Sequence, residues 1–319
     1  MTIMIIFPAL ITFIVGYVLI KYPVVISMPT DRGMHKDRVA SSGGIALIIG
    51  WTIMLGIDIQ SFIPLLLIGL LGFLDDKYSL SKFIRFGAQI GVSGYFVIDM
   101  SSAYIYNLNF ISLFILVFIS TYTINIYNFM DGIDQLAISQ AMFIVLGVML
   151  LHDSANLSLL LIFLAFFLIN YPKTRLFLGN SGSYFLGFLV TFLIIQGIMY
   201  SGEKYSVIPI LILMTAFYVD TTYTLVVRFI RRFNDKNSNL INSVKYITEA
   251  HRTHSYQKVA IKKNSHSKSV FIIMVYNIIW CLPLAYLAVI HSEYNLFCLL
   301  ISYLPYTLYC YKNKAGIEA

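Results

Sequence analysis

Charge is what this sequence has least of. Only 12% of its 319 residues are Asp, Glu, Lys or Arg, against roughly 25% in a soluble domain. With 59% of residues hydrophobic and a mean hydropathy of +0.80, a soluble fold is excluded for most of the chain. Cysteine is scarce too. Cys281, Cys298 and Cys310 all fall in the apolar C-terminal part and lack metal-ligand spacing. They form no cysteine metal motif and read as helix-packing residues. Internal repeats, low-complexity tracts and a second domain are absent. Met1 to Ile20 lacks a basic leader and a small-residue cleavage site, so it reads as a retained first helix rather than a signal peptide. The formal charge of +7 is assigned to cationic cytoplasmic loops rather than to a nucleic-acid partner.

What is present is a series of apolar runs, at 3–20, 43–57, 61–74, 86–106, 109–127, 138–151, 156–170, 183–200, 206–227, 270–290 and 295–311. A spanning helix takes about 20 apolar residues, somewhat fewer where the protein surface is recessed. The reading is an all-α integral membrane protein of about eleven transmembrane helices, forming a single domain over residues 1–319. One long cytoplasmic loop, at about 228–269, has room for a short amphipathic helix. The stretch 43–74 reads as two short helices because charge then sorts cleanly. Of the 22 Lys and Arg residues, 21 fall on one side and only Lys204 on the other, as the positive-inside rule prefers. A single helix there would split them 17 to 5. The N-terminus is thus expected outside and the C-terminus in the cytoplasm.

The same parity puts the acids and polar clusters on the cytoplasmic face. Asp75-Asp76-Lys77 ends one apolar run. Adjacent carboxylates repel, and a cation or metal beside them relieves the repulsion. The plainer reading is a solvated helix end balanced by Lys77. Asn125, Asn128, Asp131 and Asp134 recur every third residue, a spacing that lines one helix face. They suit a base, a ribose or a metal-bound water, or simply an Asx-rich cap and turn. Gly179-Asn180-Ser181-Gly182-Ser183 opens a helix, as a phosphate cradle or a plain N-cap. In His251-Arg252-Thr253-His254, Arg252 and His254 suit phosphate binding or proton transfer, or an inert surface loop. Asp220, an acid on a membrane helix, is a functional candidate or the partner of a nearby Arg.

In this order these stretches resemble the polyprenyl-phosphate N-acetylhexosamine-1-phosphate transferases, glycosyltransferase family 4. Pro29-Thr-Asp-Arg32 with His35 and Gly43-Gly44, Asp75-Asp76 with Arg85 and Gln89, Asn125 to Asp134, Gly179 to Ser183, and Val219-Asp220 with Arg231-Arg232 each look like a family element. His251-Arg-x-His254-x-Tyr-Gln257 resembles the subgroup that starts bacterial O-antigen or capsule chains. The resemblance implies transfer of an N-acetylhexosamine-1-phosphate from a UDP-sugar to undecaprenyl phosphate at the cytoplasmic face of a bacterial inner membrane, with UMP released. It further implies Mg²⁺, or Mn²⁺ in its place, and Asp75, Asp76 and His254 as catalytic residues. Asn128, Asp131, Asp134 and Arg252 would bind the nucleotide-sugar, Arg85 and Lys36 the lipid phosphate, and Asp76 with Asn180 the metal. Membrane lipid surrounds the chain, and a homodimer is compatible with the sequence.

Two positions depart from the family pattern. Asn180 stands where the family usually has a metal-binding Asp, which lowers the expected metal affinity. Gln135 stands where it has a second Gly. Two other function classes fit the composition: a transporter or flippase for a lipid-linked anion, and a non-catalytic relative marked by Asn180. Against transport stand the missing repeat and the clustering of polar motifs on one face rather than at the midplane.

Overall fold

The fold is known from a computed structural model, which describes residues 2–28, 38–54, 59–103, 109–152, 157–199, 207–235, 239–249 and 251–318. Lys36, Arg32, His35, Asp58 and Lys204 lie outside these residues.

Every apolar run forms helix. The first is α1 (Thr2–Lys21). The stretch 43–74 gives two helices, α2 (Gly44–Thr52) and α3 (Ile59–Tyr78). Then follow α4 (Lys82–Ala103), α5 (Phe110–Met130), α6 (Leu136–His152), α7 (Leu157–Ile169) and α8 (Gly179–Met199). Strictly all-α the molecule is not. Strands β1 (Val25–Ser27) and β2 (Val39–Ser41) pair antiparallel, with Ile26 opposite Ala40. The Leu176 backbone then bridges to Ala40 in parallel.

Helix α8 is the centre of the fold, packed against both α3 and α5. Its neighbours approach closely because glycine lets them. A Cβ on Gly72 would sit 2.4 Å from the Asn180 carbonyl oxygen, so only glycine brings α3 this near the start of α8. That contact sets Asp75 and Asp76 against residues 179–181.

The run 206–227 does not cross as one straight rod. It breaks at Met214 into α9 (Val207–Leu213) and α10 (Thr215–Phe233), bent by 71°. A carbonyl freed by a break in an apolar setting must find a donor. Gln140 Nε2 on α6 donates to the Leu213 carbonyl at 2.8 Å, and Thr215 Oγ1 donates to that of Ile212 at 2.7 Å.

The expected loop at 228–269 is largely helical. It contains the end of α10, then α11 (Leu240–Ile247) and α12 (Ser255–Lys263), and runs into α13 (His266–Tyr276). Helix α13 continues through a π-turn into α14 (Leu282–Ile290), and α15 (Asn295–Lys312) follows. The short amphipathic helix expected there is α11, whereas α12 is short and polar and gave no signal.

The outer faces carry large apolar side chains, among them Phe110, Phe114 and Phe118 on α5. Hydroxyls and amides turn inward, as Thr12, Ser120 and Gln140 do. In water such a surface would aggregate; in lipid it costs nothing, and buried Ser and Thr satisfy themselves on the preceding turn. Ser120 Oγ does so, donating to the Leu116 carbonyl at 2.8 Å. Among the described residues, three helical segments are by themselves long and apolar enough to cross a membrane: Ile3–Lys21, Phe110–Met130 and His266–Ile290. The bent pair α9–α10 makes a fourth if counted as one span.

Candidate active site

The site is built around the first turn of α8. Asp76, from the end of α3, accepts from the Asn180 backbone N–H at 2.8 Å and from that of Ser181 at 3.2 Å. Ser42 Oγ adds a third bond at 2.9 Å. A carboxylate at a helix N-terminus meets both the free N–H groups and the positive end of the dipole. It also fills the place that 179–183 was expected to offer a phosphate. The cap of α8 thus comes from Asp76 on another helix, not from Asn180 or a serine. Gly179 makes room for it: at φ +72, a Cβ there would lie 2.6 Å from Asp76 Oδ2.

Asp75 faces the other way and is 5% exposed. Its Oδ2 accepts from Arg85 Nη1, Asn180 Nδ2 and Tyr184 OH, each at 2.9 Å, and its Oδ1 from the Leu80 N–H at 3.0 Å. Three donors on one oxygen leave little of it for a substrate. Tyr184 gave no signal in the sequence, since its role depends on which face of α8 meets α3. Asn180 is the link between two motifs. Its amide donates to Asp75, while its Oδ1 accepts from Asn128 Nδ2 at 2.7 Å.

Helix α5 ends at Met130, where Asp131 is the C-cap residue. The every-third-residue pattern therefore runs along a helix face only for Asn125 and Asn128. Asn125 donates to Gln89 Oε1 at 2.7 Å. The Asp131–Gln135 turn carries the rest. Burial, and then the Asp76 and Asp134 carboxylates, push the Asp131 carboxyl well above the usual carboxylate range. Asp134 Oδ2 lies 3.1 Å from His266 Nδ1, a partner that its distant position in the chain concealed.

These groups meet at a cavity of about 420 Å³. Asp76, Asn128, Asp131, Asp134 and Asn180 line it, joined by Gln135, Asn170, Phe177 and Gln257. Asp75, Arg85, Arg252 and His254 are not in its lining. Asp75 and Arg85 stand behind Asn180 as an ion pair at 2.9 Å.

His254 is the N-cap residue of α12 and is buried. Its Nδ1 lies 3.2 Å from Asp220 Oδ1. Asp220, fully buried, also takes the Ser255 and Tyr256 backbone N–H groups at 3.0 and 3.2 Å, and the Ser255 hydroxyl. The partner of this membrane-helix acid is therefore the start of α12, not Arg231 or Arg232. The arrangement reaches the cavity indirectly. Tyr256 OH donates to the Phe129 carbonyl at 2.8 Å, just ahead of the Asp131 turn, and the neighbouring Gln257 lines the cavity. His251 stacks on His254 with ring centroids 4.9 Å apart. Burial, His254 and Arg228 push its imidazole down to about 3, which leaves it neutral and a poor phosphate ligand at pH 7.

Similarity to known proteins covers the same part of the chain. The glycosyl transferase family 4 model matches residues 59–198, the stretch that contains Asp75, Asn128 and Asn180. A relative from Bacillus subtilis (strain 168), named "Probable undecaprenyl-phosphate N-acetylglucosaminyl 1-phosphate transferase", is 29% identical over 301 residues, 85% of this chain and 79% of its own length. Over residues 59–198 the chain is similar to glycosyl transferase family 4. The undecaprenyl-phosphate alpha-N-acetylglucosaminyl 1-phosphate transferases of Escherichia coli (strain K12) and Salmonella typhi are each 25% identical. The first alignment covers 58% of each chain. The second covers 64% of this chain and 63% of the relative.

The donor set of this cavity fits a hard divalent cation of one kind. Among the described residues, no three His, Cys, Asp or Glu side chains form a ready-made cage. The carboxylates of Asp76, Asp131 and Asp134 line one space, and the two neighbours add to the burial that raises the Asp131 carboxyl. Mg²⁺ characteristically takes one or two carboxylates and completes its shell with phosphate oxygens and water. Asn180 lines the same space, and its Oδ1, which accepts one bond from Asn128 Nδ2, keeps a second lone pair for a cation.

Proposed function

We propose that this protein transfers an N-acetylhexosamine-1-phosphate from a UDP-sugar to undecaprenyl phosphate, releasing UMP, as the first step of a cell-surface glycan. The observation that carries the reading is the cavity wall: three separate sequence stretches bring Asp76, Asn128, Asp131, Asp134 and Asn180 to one space. The names of the relatives support the class of donor and acceptor.

In this reading an oxygen of the lipid phosphate attacks the phosphorus that bears the sugar. A new P–O bond forms as the bond to UMP breaks, and UMP leaves with the electron pair. Catalysis of such a transfer is mostly positioning and charge stabilisation. Mg²⁺, or Mn²⁺ in its place, would be held by Asp76 and Asp131 and would supply neutralising charge to the pyrophosphate. Asn128 and Asp134 orient the donor. Asp75 acts as a positioning residue that aligns Arg85 and Asn180, and His254 anchors α12 beside the cavity. The reading sets the active site on the cytoplasmic face of a bacterial inner membrane, with eleven spans and the C-terminus inside. It favours the O-antigen or capsule-initiating branch, on the strength of the 251–257 segment.

The test is UMP release by the purified full-length protein, given undecaprenyl phosphate, Mg²⁺ or Mn²⁺ and a panel of UDP-N-acetyl sugars. Lipid- and metal-dependent turnover, lost in Asp131→Asn and reduced at least about 100-fold in Asp75→Asn, is expected. Full activity in Asp75→Asn would remove its assigned role. No turnover with any sugar would overturn the transferase reading.

A further inference from the structure

Gln135 is bound into the cavity wall by both its backbone and its side chain. It sits at φ +65, in the left-handed region where a side chain is strained and glycine is not. Such strain persists only where the surroundings over-determine the residue. Here the determinant is visible. Gln135 Nε2 donates to the Asn170 carbonyl at 2.8 Å, so the side chain spans from the Asp131 turn to the end of α7.

The far end of that span is itself an organised structure. Asn170 is 3% exposed. Its Oδ1 accepts from the Arg175 and Leu176 backbone N–H groups at 3.0 and 2.9 Å. Leu176 then pairs with β2 through Ala40, and the Phe177 N–H donates to the Ala40 carbonyl at 2.8 Å. Gln135, Asn170, Leu176 and Phe177 all line the cavity. One side chain therefore couples its two longest irregular walls, the 131–135 turn and the 170–178 segment.

We propose that Gln135 is a positioning residue that sets the separation of these two walls and thereby the affinity for the nucleotide-sugar. The inference rests on the transferase reading of this cavity. Its physical content is a strut. A shorter side chain cannot reach the Asn170 carbonyl, and the walls then move independently. Strain and reach are separable by substitution. Gln135→Gly removes both the strain and the strut; Gln135→Asn tolerates the left-handed backbone but is one methylene too short.

The experiment uses the full-length protein in detergent or nanodiscs. Hydrogen exchange at the amides of residues 175–177 reads the strut directly and requires no activity. KM and kcat for the UDP-N-acetyl sugar read its consequence, and the thermal midpoint reads the fold. Expected are faster exchange at 175–177 in both variants and a KM raised about fivefold, the factor that one ordinary hydrogen bond is worth, with kcat within about twofold. The Gln135→Gly midpoint should stay near wild type, because relief of strain offsets the lost bond. Unchanged exchange, or an unchanged KM with active wild-type protein, overturns the strut. So does a loss of kcat and thermal midpoint in parallel, the mark of a merely structural residue. Wild-type protein that releases no UMP defeats the transferase reading instead, and the exchange data then decide the strut alone.

Discussion

At the residue scale, the amide of Asn180 joins Asp75 to Asn128, and the two ends of that amide are not interchangeable. The end facing Asp75 must donate. A carboxylate there would set two anions at the 2.9 Å now spanned by a hydrogen bond. Asn180→Asp is therefore expected to lose about 2–3 kcal/mol of stability in the presence of chelator, measured as a lower thermal midpoint. Added Mg²⁺ should restore part of it by neutralising the new charge. An unchanged midpoint in chelator would mean that residue 180 does not control the charge at Asp75. The sequence alone offered Asn180 only as a weakened metal ligand. What it concealed was Tyr184. Without Tyr184 and Arg85 on the same oxygen, the saturation of Asp75 cannot be seen.

At the element scale, the structure rests on helix termini that are capped by distant acids. Asp76 on α3 caps α8, and Asp220 on α10 caps α12. Each trades the cost of a buried carboxylate for two backbone N–H groups that would otherwise be unpaired. For Asp220→Asn, one acceptor oxygen becomes a donor facing other donors. The expected cost is about 2–4 kcal/mol, and amide exchange across 255–263 should accelerate more than exchange in α8. Equal protection in the variant and the wild type would show that α12 is held by packing alone. The lengths of the apolar runs located the long helices to within a few residues. They missed the break at Met214, because the apolar run continues unbroken through α9 into α10 while the compensating donor, Gln140, lies more than 70 positions earlier.

At the scale of the whole molecule, the distribution of charge makes a prediction that the fold alone does not. The eleven-span reading puts 21 of the 22 cationic residues on one side, so a cysteine placed at Lys204 should react with an impermeant thiol reagent in intact cells. One placed at Lys258 should react only after permeabilisation. The three native cysteines are buried and would be replaced first. Labelling of both sites from outside, or the reverse pattern, would overturn the eleven-span topology. The sequence by itself determined the solvent, because scarcity of charge and the length of the apolar runs are properties of composition and order. It also determined which residue types are available for chemistry, since Asp, Asn and Arg fall in short, separated clusters. Only the tertiary structure decided which of them share a cavity and which merely hold it in place. That distinction depends on which face of α8 meets α3 and α5, and on where Asp220 meets α12. Such contacts join residues from 35 to more than 100 positions apart, a range over which helix periodicity carries no information.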